Sequence, residues 1–278
     1  MTRRQLLLAS AALALPVEGL FEKEWLEVTR HEVLLPGFSR ELDGLRVAQL
    51  TDLHRSAIVP REQIRDVVDR CNRLAPDLVV LTGDYVTRHA DYIRTCAPEL
   101  ARLRSRLGTI AILGNHDYWT EAGIITAALE REGIPVLVNR SVEPAPGFWV
   151  SGLDDSWAGD PDLRATLADV PPDAATLLLT HNPHICDDAM VRPMLILCGH
   201  THGCQVYIPP FSQMLLPGMR NLRYVRGWYR ERDGLIYVNR GIGVTGVPIR
   251  FCSRPEISFF TLRPAPPGQA RVTRRVVA

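Results

Sequence analysis

The sequence carries almost no net charge, because 32 Lys and Arg residues face 31 Asp and Glu residues and leave a formal charge of +1 at pH 7. Nucleic-acid binding depends on a strongly basic surface, so we expect no nucleic-acid partner. A GxxxxGK[ST] motif is also missing, which leaves nucleotide binding of the P-loop kind without support. The 278 residues, 46% of them hydrophobic, are nevertheless enough to bury one sizeable α/β core.

The N-terminal apolar run is too short to cross a bilayer comfortably. It follows Arg3 and Arg4 and extends through Leu15, interrupted by Ser10. A basic head followed by some ten apolar residues is typical of a signal peptide, and the paired arginines resemble the twin-arginine export motif. We therefore predict a signal peptide over residues 1–14, the twin-arginine translocase as a partner during export, and a periplasmic or cell-envelope location. An uncleaved signal would leave a membrane anchor, and a poorly ordered basic terminus is the alternative.

Five separated fragments supply acidic, amide and imidazole side chains in a fixed order, and they contain five of the eight histidines. They are Asp52-Leu53-His54, Gly83-Asp84, Gly114-Asn115-His116-Asp117, His181-Asn182 and Gly199-His200-Thr201-His202. Each alone has an ordinary explanation, such as a helix N-cap for an aspartate or a turn for Gly-Asn. Together they predict a hydrolytic site that holds two metal ions.

Short, mostly apolar runs precede these fragments and indicate buried strands. The runs are residues 47–50, 78–81, 110–113, 177–179 and 195–197. Two segments with helical periodicity, Arg61 to Leu74 and Asp91 to Arg106, separate the first three runs, so the polar fragments recur at about the length of one βαβ unit. Parallel strands end at one edge of a sheet, where open α/β sheets bind their ligands. We therefore expect the fragments to converge in space.

In this order the fragments resemble the sequence blocks of the calcineurin-like metallophosphoesterase superfamily, which run DxH, GDxx, GNH(D/E), H and GHxH. The likeness extends from about Leu34 to about Leu262. The stretches LDGLRVAQLTDLH, GNHDYW, GHTHGCQV and YVNRGIGVTGVPIRF resemble in particular the bacterial branch of exported phosphodiesterases. The resemblance implies an α/β fold: a four-layer αββα sandwich of two mixed β-sheets flanked by helices.

The resemblance also implies seven ligands for two divalent ions, and a set of nitrogen and oxygen donors suits Mn, Fe, Zn or Co. The first ion would take Asp52, His54 and His202, the second Asn115, His181 and His200, and Asp84 would bridge both. His116 would face the substrate and protonate the leaving oxygen or stabilise developing charge, and Asp117 would hold its imidazole. The expected reaction is in-line attack of a metal-activated hydroxide on phosphorus.

We divide the chain into the signal peptide, an extended N-terminal segment over residues 15–44, a metallophosphoesterase domain over residues 45–263, and a frayed C-terminal tail over residues 264–278. No linker or repeat divides the core. The expected function is a metal-dependent phosphoesterase, more specifically a phosphodiesterase.

Two other functions stay open. One is a UDP-diacylglucosamine-type pyrophosphatase acting on a lipid-linked sugar nucleotide, because the apolar stretch from Tyr207 to Pro217 would suit contact with lipid. That stretch would equally suit a loop covering its own core, and an exported enzyme would lie on the wrong side of the membrane for a cytoplasmic substrate. The other is a non-catalytic metal-binding scaffold, which should have lost ligands, whereas all seven are present.

Overall fold

A computed structural model describes residues 22–209, 223–266, 268 and 270–277. The predicted signal peptide and the apolar stretch from residue 210 onward lie outside the described residues. None of the helices within the described ranges is long and apolar enough to cross a membrane.

Twelve strands in these ranges form two six-stranded sheets. In chain order they are β1 (Glu27–Pro36), β2 (Leu45–Leu50), β3 (Leu78–Thr82), β4 (Thr109–Ile112), β5 (Arg140–Ala145), β6 (Phe148–Gly152), β7 (Ala175–Leu179), β8 (Leu195–Cys198), β9 (Gly227–Glu231), β10 (Gly234–Val238), β11 (Glu256–Ala265) and β12 (Arg271–Val277). The first sheet has the order β12-β1-β11-β2-β3-β4 and the second the order β5-β6-β7-β8-β10-β9. Both sheets mix parallel and antiparallel neighbours.

The two sheets pack face to face through the alternate residues of their strands. Val47 and Val80 of the first sheet belong to the same buried cluster as Leu177 and Leu197 of the second. Side chains alternate along a strand, so their neighbours point to the outer faces of the sheets. The runs 78–81 and 177–179 are buried on both faces, which explains why the sequence shows them as continuous apolar stretches.

Helices cover both outer faces. They are α1 (Arg61–Arg73), α2 (Ile93–Leu100), α3 (Asn115–Arg131), α4 (Leu163–Thr166) and α5 (Cys186–Ala189). The first three pack on the first sheet, and α5 packs on the second. The predicted four-layer arrangement of two mixed sheets flanked by helices is confirmed.

Two boundaries differ from the prediction. The helix expected from Asp91 to Arg106 begins at Ile93 and ends at Leu100, soon after Pro98. The frayed tail over residues 264–278 is wrong for most of its length, because Arg271–Val277 pairs antiparallel with β1 as the edge strand of the first sheet. The N-terminal segment is likewise part of this sheet, since β1 lies between β11 and β12.

Deleting residues 271–278 should therefore destabilise the protein. The deletion removes Val272, which is partly buried against the core between the sheets, and leaves β1 as an unprotected edge. Fully burying one valine is worth about 2 kcal/mol, so we expect the partial burial and the lost strand pairing to contribute about 1–2 kcal/mol of unfolding free energy, seen as a melting temperature a few degrees lower. An unchanged melting temperature would mean that the tail is frayed after all.

Candidate metal centre

The carboxyl ends of five strands meet where the two sheets face each other. In the first sheet, Asp52 follows β2, Asp84 follows β3 and Asn115 follows β4. In the second, His181 follows β7 and His200 follows β8. The structure therefore brings together polar side chains from positions as far apart as 52 and 202.

The first group of side chains lies around Asp52. The Nε2 atoms of His54 and His202 are 2.9 Å apart, and His202 Nε2 lies 3.3 Å from Asp52 Oδ1. Asp52, His54 and His202 offer ligand atoms that all lie within 4.8 Å of one another. Two imidazole nitrogens and a carboxylate directed at one point form a donor set that a divalent cation can occupy.

The second group lies around Asp84. His181 Nε2 is 3.1 Å from Asp84 Oδ2, and it is buried without a hydrogen-bond partner among the described residues. The other ring nitrogen, Nδ1, lies 2.7 Å from the carbonyl oxygen of Thr82 and must donate to it, so a lone pair available to a metal ion would lie on Nε2. Burial opposes the charged form of this ring, but the Asp84 carboxylate outweighs it and holds the pKa of His181 well above its ordinary value, so an ion would have to displace a proton from Nε2. Asn115 Oδ1 lies 2.8 Å from His200 Nδ1. The unpartnered nitrogen facing a buried carboxylate fits a metal ion.

Burial sets the charges of the site. It raises the pKa of the Asp84 carboxyl, but the His181 imidazole and its neighbours outweigh this and hold that pKa below its usual range. Burial also lowers the pKa of His200 to about 4 and holds the pKa of His202 well below its ordinary value. Both rings are therefore neutral at pH 7 and keep the lone pairs that metal binding needs.

Five of the seven predicted ligands adopt a left-handed backbone that residues other than glycine rarely take: Asp52, His54, Asp84, His200 and His202, with φ between 47° and 72°. Strained conformations of this kind persist where the surrounding structure fixes them, and they cluster at functional sites. The strain turns each side chain from its strand end into the space between the sheets.

Two glycines allow the fragments to approach closely. A Cβ atom at Gly114 would clash with Asp84 Oδ1 and lie 2.8 Å from His181 Cε1, and one at Gly199 would clash with Thr51 and Asp52. The glycines of the second and third blocks also touch, since a Cβ at Gly83 would meet the backbone of Gly114. The backbone at these positions has no room for a side chain.

His116 lies at the mouth of this centre. It is half-buried, its ring centroid is 4.8 Å from that of His54, and it can share a cation with His54 and Asp84. Its backbone N–H donates to Asp84 Oδ1 at 2.8 Å. The ring is thus placed beside the predicted ligands, with a side that is open to solvent.

Asp117 has a different contact from the predicted one. Its Oδ2 accepts from the backbone N–H groups of Asp84 at 2.8 Å and Gly114 at 2.9 Å, and its Oδ1 accepts from Tyr85 N at 2.9 Å. Burial and the Asp84 carboxylate raise the pKa of Asp117 to about 7, while the N–H donors favour its charged form. The expectation that it holds the His116 imidazole is wrong; the carboxylate ties the ends of β3 and β4 together.

Sequence reasoning missed Arg250 as a neighbour of the site. Its guanidinium is fully buried, and it lies 3.2 Å from His202 Nδ1 while it donates to the carbonyls of Gly243 and Ser253. The stretch RGIGVTG is packed in the same place, since Gly243 N donates to the Asp52 carbonyl at 2.7 Å. No sequence signal distinguishes Arg250 from the other arginines of the chain.

Comparison with known proteins agrees with this geometry. A model of the calcineurin-like phosphoesterase family matches residues 45–204. The chain is 33% identical over 281 residues to the uncharacterized metallophosphoesterase YkuE of Bacillus subtilis, covering 95% of this chain and 98% of that protein. It is 32% identical over 275 residues to the phosphodiesterase YaeI of Escherichia coli, covering 94% and 99%.

A third relative is the UDP-2,3-diacylglucosamine pyrophosphatase LpxG of Chlamydia trachomatis, 28% identical over 312 residues, which cover 90% of this chain and 93% of that protein. Among solved structures, the NAD nucleotidase of Haemophilus influenzae superposes with a TM-score of 0.51 at 15% identity, over 83% of this chain and 49% of that one, a likeness of fold alone. The family model, the relatives and the cluster of His and Asp side chains agree, and the chain belongs to the calcineurin-like phosphoesterase family as a metal-dependent phosphoesterase.

Proposed function

We propose that the protein is a phosphodiesterase that works with two divalent ions. The observation that carries this proposal is the convergence of two buried carboxylates with buried imidazole nitrogens between the sheets, one of which, His181 Nε2, has no hydrogen-bond partner among the described residues. The Escherichia coli relative, which is matched over 99% of its length, is named as a phosphodiesterase and supports the diester preference.

In this proposal the seven ligands divide as the family pattern implies. Asp52, His54 and His202 would hold one ion, Asn115, His181 and His200 would hold the other, and Asp84 would be shared by both. When bound, the ions would supply a nucleophile at neutral pH and neutralise the phosphate charge. The short contacts within each group support this division, and Mn, Fe, Zn or Co would suit the mixed donor set.

His116 acts on the substrate rather than on an ion. Its ring is partly exposed beside the predicted ligands, and burial lowers its pKa. The imidazole donates a proton to the leaving oxygen, or a hydrogen bond to it as negative charge develops. The hydrogen bond from His116 N to Asp84 fixes the backbone that carries the ring.

A pyrophosphatase acting on a lipid-linked sugar nucleotide is the second candidate, and the Chlamydia trachomatis relative favours it. The same metals and the same proton donor would serve this reaction. A non-catalytic metal-binding scaffold is the third candidate, but a scaffold should have lost ligands, and all seven are present.

We also propose that the protein is exported through the twin-arginine translocase, on the strength of Arg3, Arg4 and the apolar run that follows them.

Metal-dependent hydrolysis of bis(p-nitrophenyl) phosphate tests the function. Protein stripped by a chelator should lose turnover, regain it with Mn²⁺, and cleave the diester faster than p-nitrophenyl phosphate. Asp84→Asn should lose most turnover together with bound metal, because the shared ligand loses its charge. An active Asp84→Asn enzyme would contradict the assignment, and an inactive protein with two bound ions would favour the scaffold.

His116→Ala should keep the metal content of the unchanged protein while turnover falls by roughly 10²–10⁴-fold, the usual scale for losing a general acid. Metal analysis and steady-state rates on the same preparation separate the two effects. If metal content falls along with the rate, His116 is a ligand and the assigned role is wrong.

Asp117→Asn should lower both stability and metal retention. An amide in place of the carboxylate directs its NH₂ at one or more of three backbone N–H groups, which costs about 1–3 kcal/mol for a buried donor left unpaired. Chemical denaturation and metal analysis measure the loss, with the exposed Asp160→Asn as control. If the variant is slower but its stability and metal content are unchanged, the result would instead support the predicted contact between Asp117 and His116.

A further inference from the structure

Two exposed tryptophans stand at the mouth of the metal centre. Trp119 is 60% exposed and its ring centroid lies 5.0 Å from that of His116; Trp157 is 50% exposed and lies 4.7 Å from His200. Their own ring centroids are 6.1 Å apart with an angle of 28° between the planes. We call these two side chains the Trp pair. Large aromatic rings beside a reactive site that leave half or more of their surface in water are informative, because that apolar surface remains available to a ligand.

The backbone on each side of the Trp pair is fixed by buried carboxylates. Asp155, which is fully buried, accepts from the backbone N–H of Trp157 at 2.9 Å. The hydroxyl of Tyr118, the residue next to Trp119, donates to Asp154 in the loop that carries Trp157. The helix that holds one ring is therefore linked to the loop that holds the other. The Trp pair has a defined position before any ligand arrives, which lowers the entropic cost of binding.

The shape and charge of this surface indicate its occupant. Two nearly parallel indole rings present flat π-faces, which suit stacking by another planar ring. An anionic membrane surface is disfavoured, because the segment over residues 153–163 carries Asp154, Asp155, Asp160 and Asp162 and has no Lys or Arg. A cationic headgroup is disfavoured as well, since both oxygens of Asp154 and Oδ1 of Asp155 already accept from the chain itself, and Asp155 Oδ2 is buried.

We propose that the Trp pair binds a planar unsaturated ring, of the nucleobase type, on the ester arm that leaves the phosphorus. The inference rests on the proposed phosphodiesterase function, in which His116 donates to the leaving oxygen. Trp119 is the ring neighbour of His116, so an arm extending from that oxygen passes over the Trp pair. The substrate class is therefore a diester with a flat, nucleoside-like alcohol.

Calorimetric binding to the Mn²⁺-loaded protein tests this with the hydrolysis-resistant methylenephosphonate analogues of AMP and of ribose 5-phosphate, which differ only in the base. We expect the AMP analogue to bind about tenfold tighter or more, the usual scale for base stacking on an aromatic side chain. Trp119→Ala and Trp157→Ala should each remove most of this difference and leave the affinity for the ribose analogue unchanged. Trp119→Phe should restore much of it.

Trp25→Ala is the matched control, because Trp25 is 51% exposed but its ring packs against the guanidinium of Arg254. Equal affinity for the two analogues, or alanine variants that bind like the unchanged protein, would overturn the proposal. Variants that weaken binding of hexylphosphonate or phosphocholine but not of the AMP analogue would also overturn it. Diester hydrolysis without any dependence on the Trp pair would refute this inference alone, whereas Trp-dependent binding without hydrolysis would refute the proposed function alone.

Discussion

Asp52 and Asp84 are buried almost completely between the sheets, and their charge governs how the surrounding chain is built. An unpaired buried carboxylate is costly, so each must attract hydrogen-bond donors and cations. The backbone N–H of His200, from the second sheet, donates to both oxygens of Asp52, and His116 N donates to Asp84. These bonds hold together loops that follow strands of both sheets, so the groups that bind a metal also join the two halves of the fold.

The strained backbone follows from the same requirement. Left-handed conformations cost about 1–3 kcal/mol each for residues other than glycine, and five predicted ligands adopt them. Cation binding by the carboxylates offsets the cost of these conformations only if the imidazoles come close enough to share the cation. Asp117 stabilises the strained stretch after β3 by accepting hydrogen bonds from the backbone N–H groups of Asp84 and Tyr85. On the side of the second sheet, the guanidinium of Arg250 contacts the His202 imidazole. The predicted ligands are thus supported by two buried groups, Asp117 and Arg250, that are not themselves predicted ligands.

The sequence predicts the strands and the converging residues well because both depend on local patterns: buried runs, a repeat of βαβ length and recognisable blocks. The sequence does not predict contacts that depend on where a side chain points or that join residues far apart in the chain. The family resemblance implied a contact between Asp117 and the His116 imidazole, but consecutive helical residues do not face each other, and the Asp117 carboxylate instead accepts from backbone N–H groups. Strand β12 has no alternating pattern that would predict it, and its partner β1 lies about 240 residues away in the chain. The same is true of Trp119 and Trp157, which come from separate elements.

In the proposed function, metal binding and substrate choice depend on different residues of one short segment. Asn115 and His116 open α3 beside the predicted metal site, whereas Trp119, one turn later, is mostly exposed. The ligands are fixed by strain and burial, so they tolerate little change. The Trp rings are half or more exposed and their backbone is not left-handed, so we expect substitutions there to leave the ligand geometry intact. A family that keeps its metal site can therefore vary the ester arm it accepts, and relatives named for a diester and for a pyrophosphate linkage are consistent with this division.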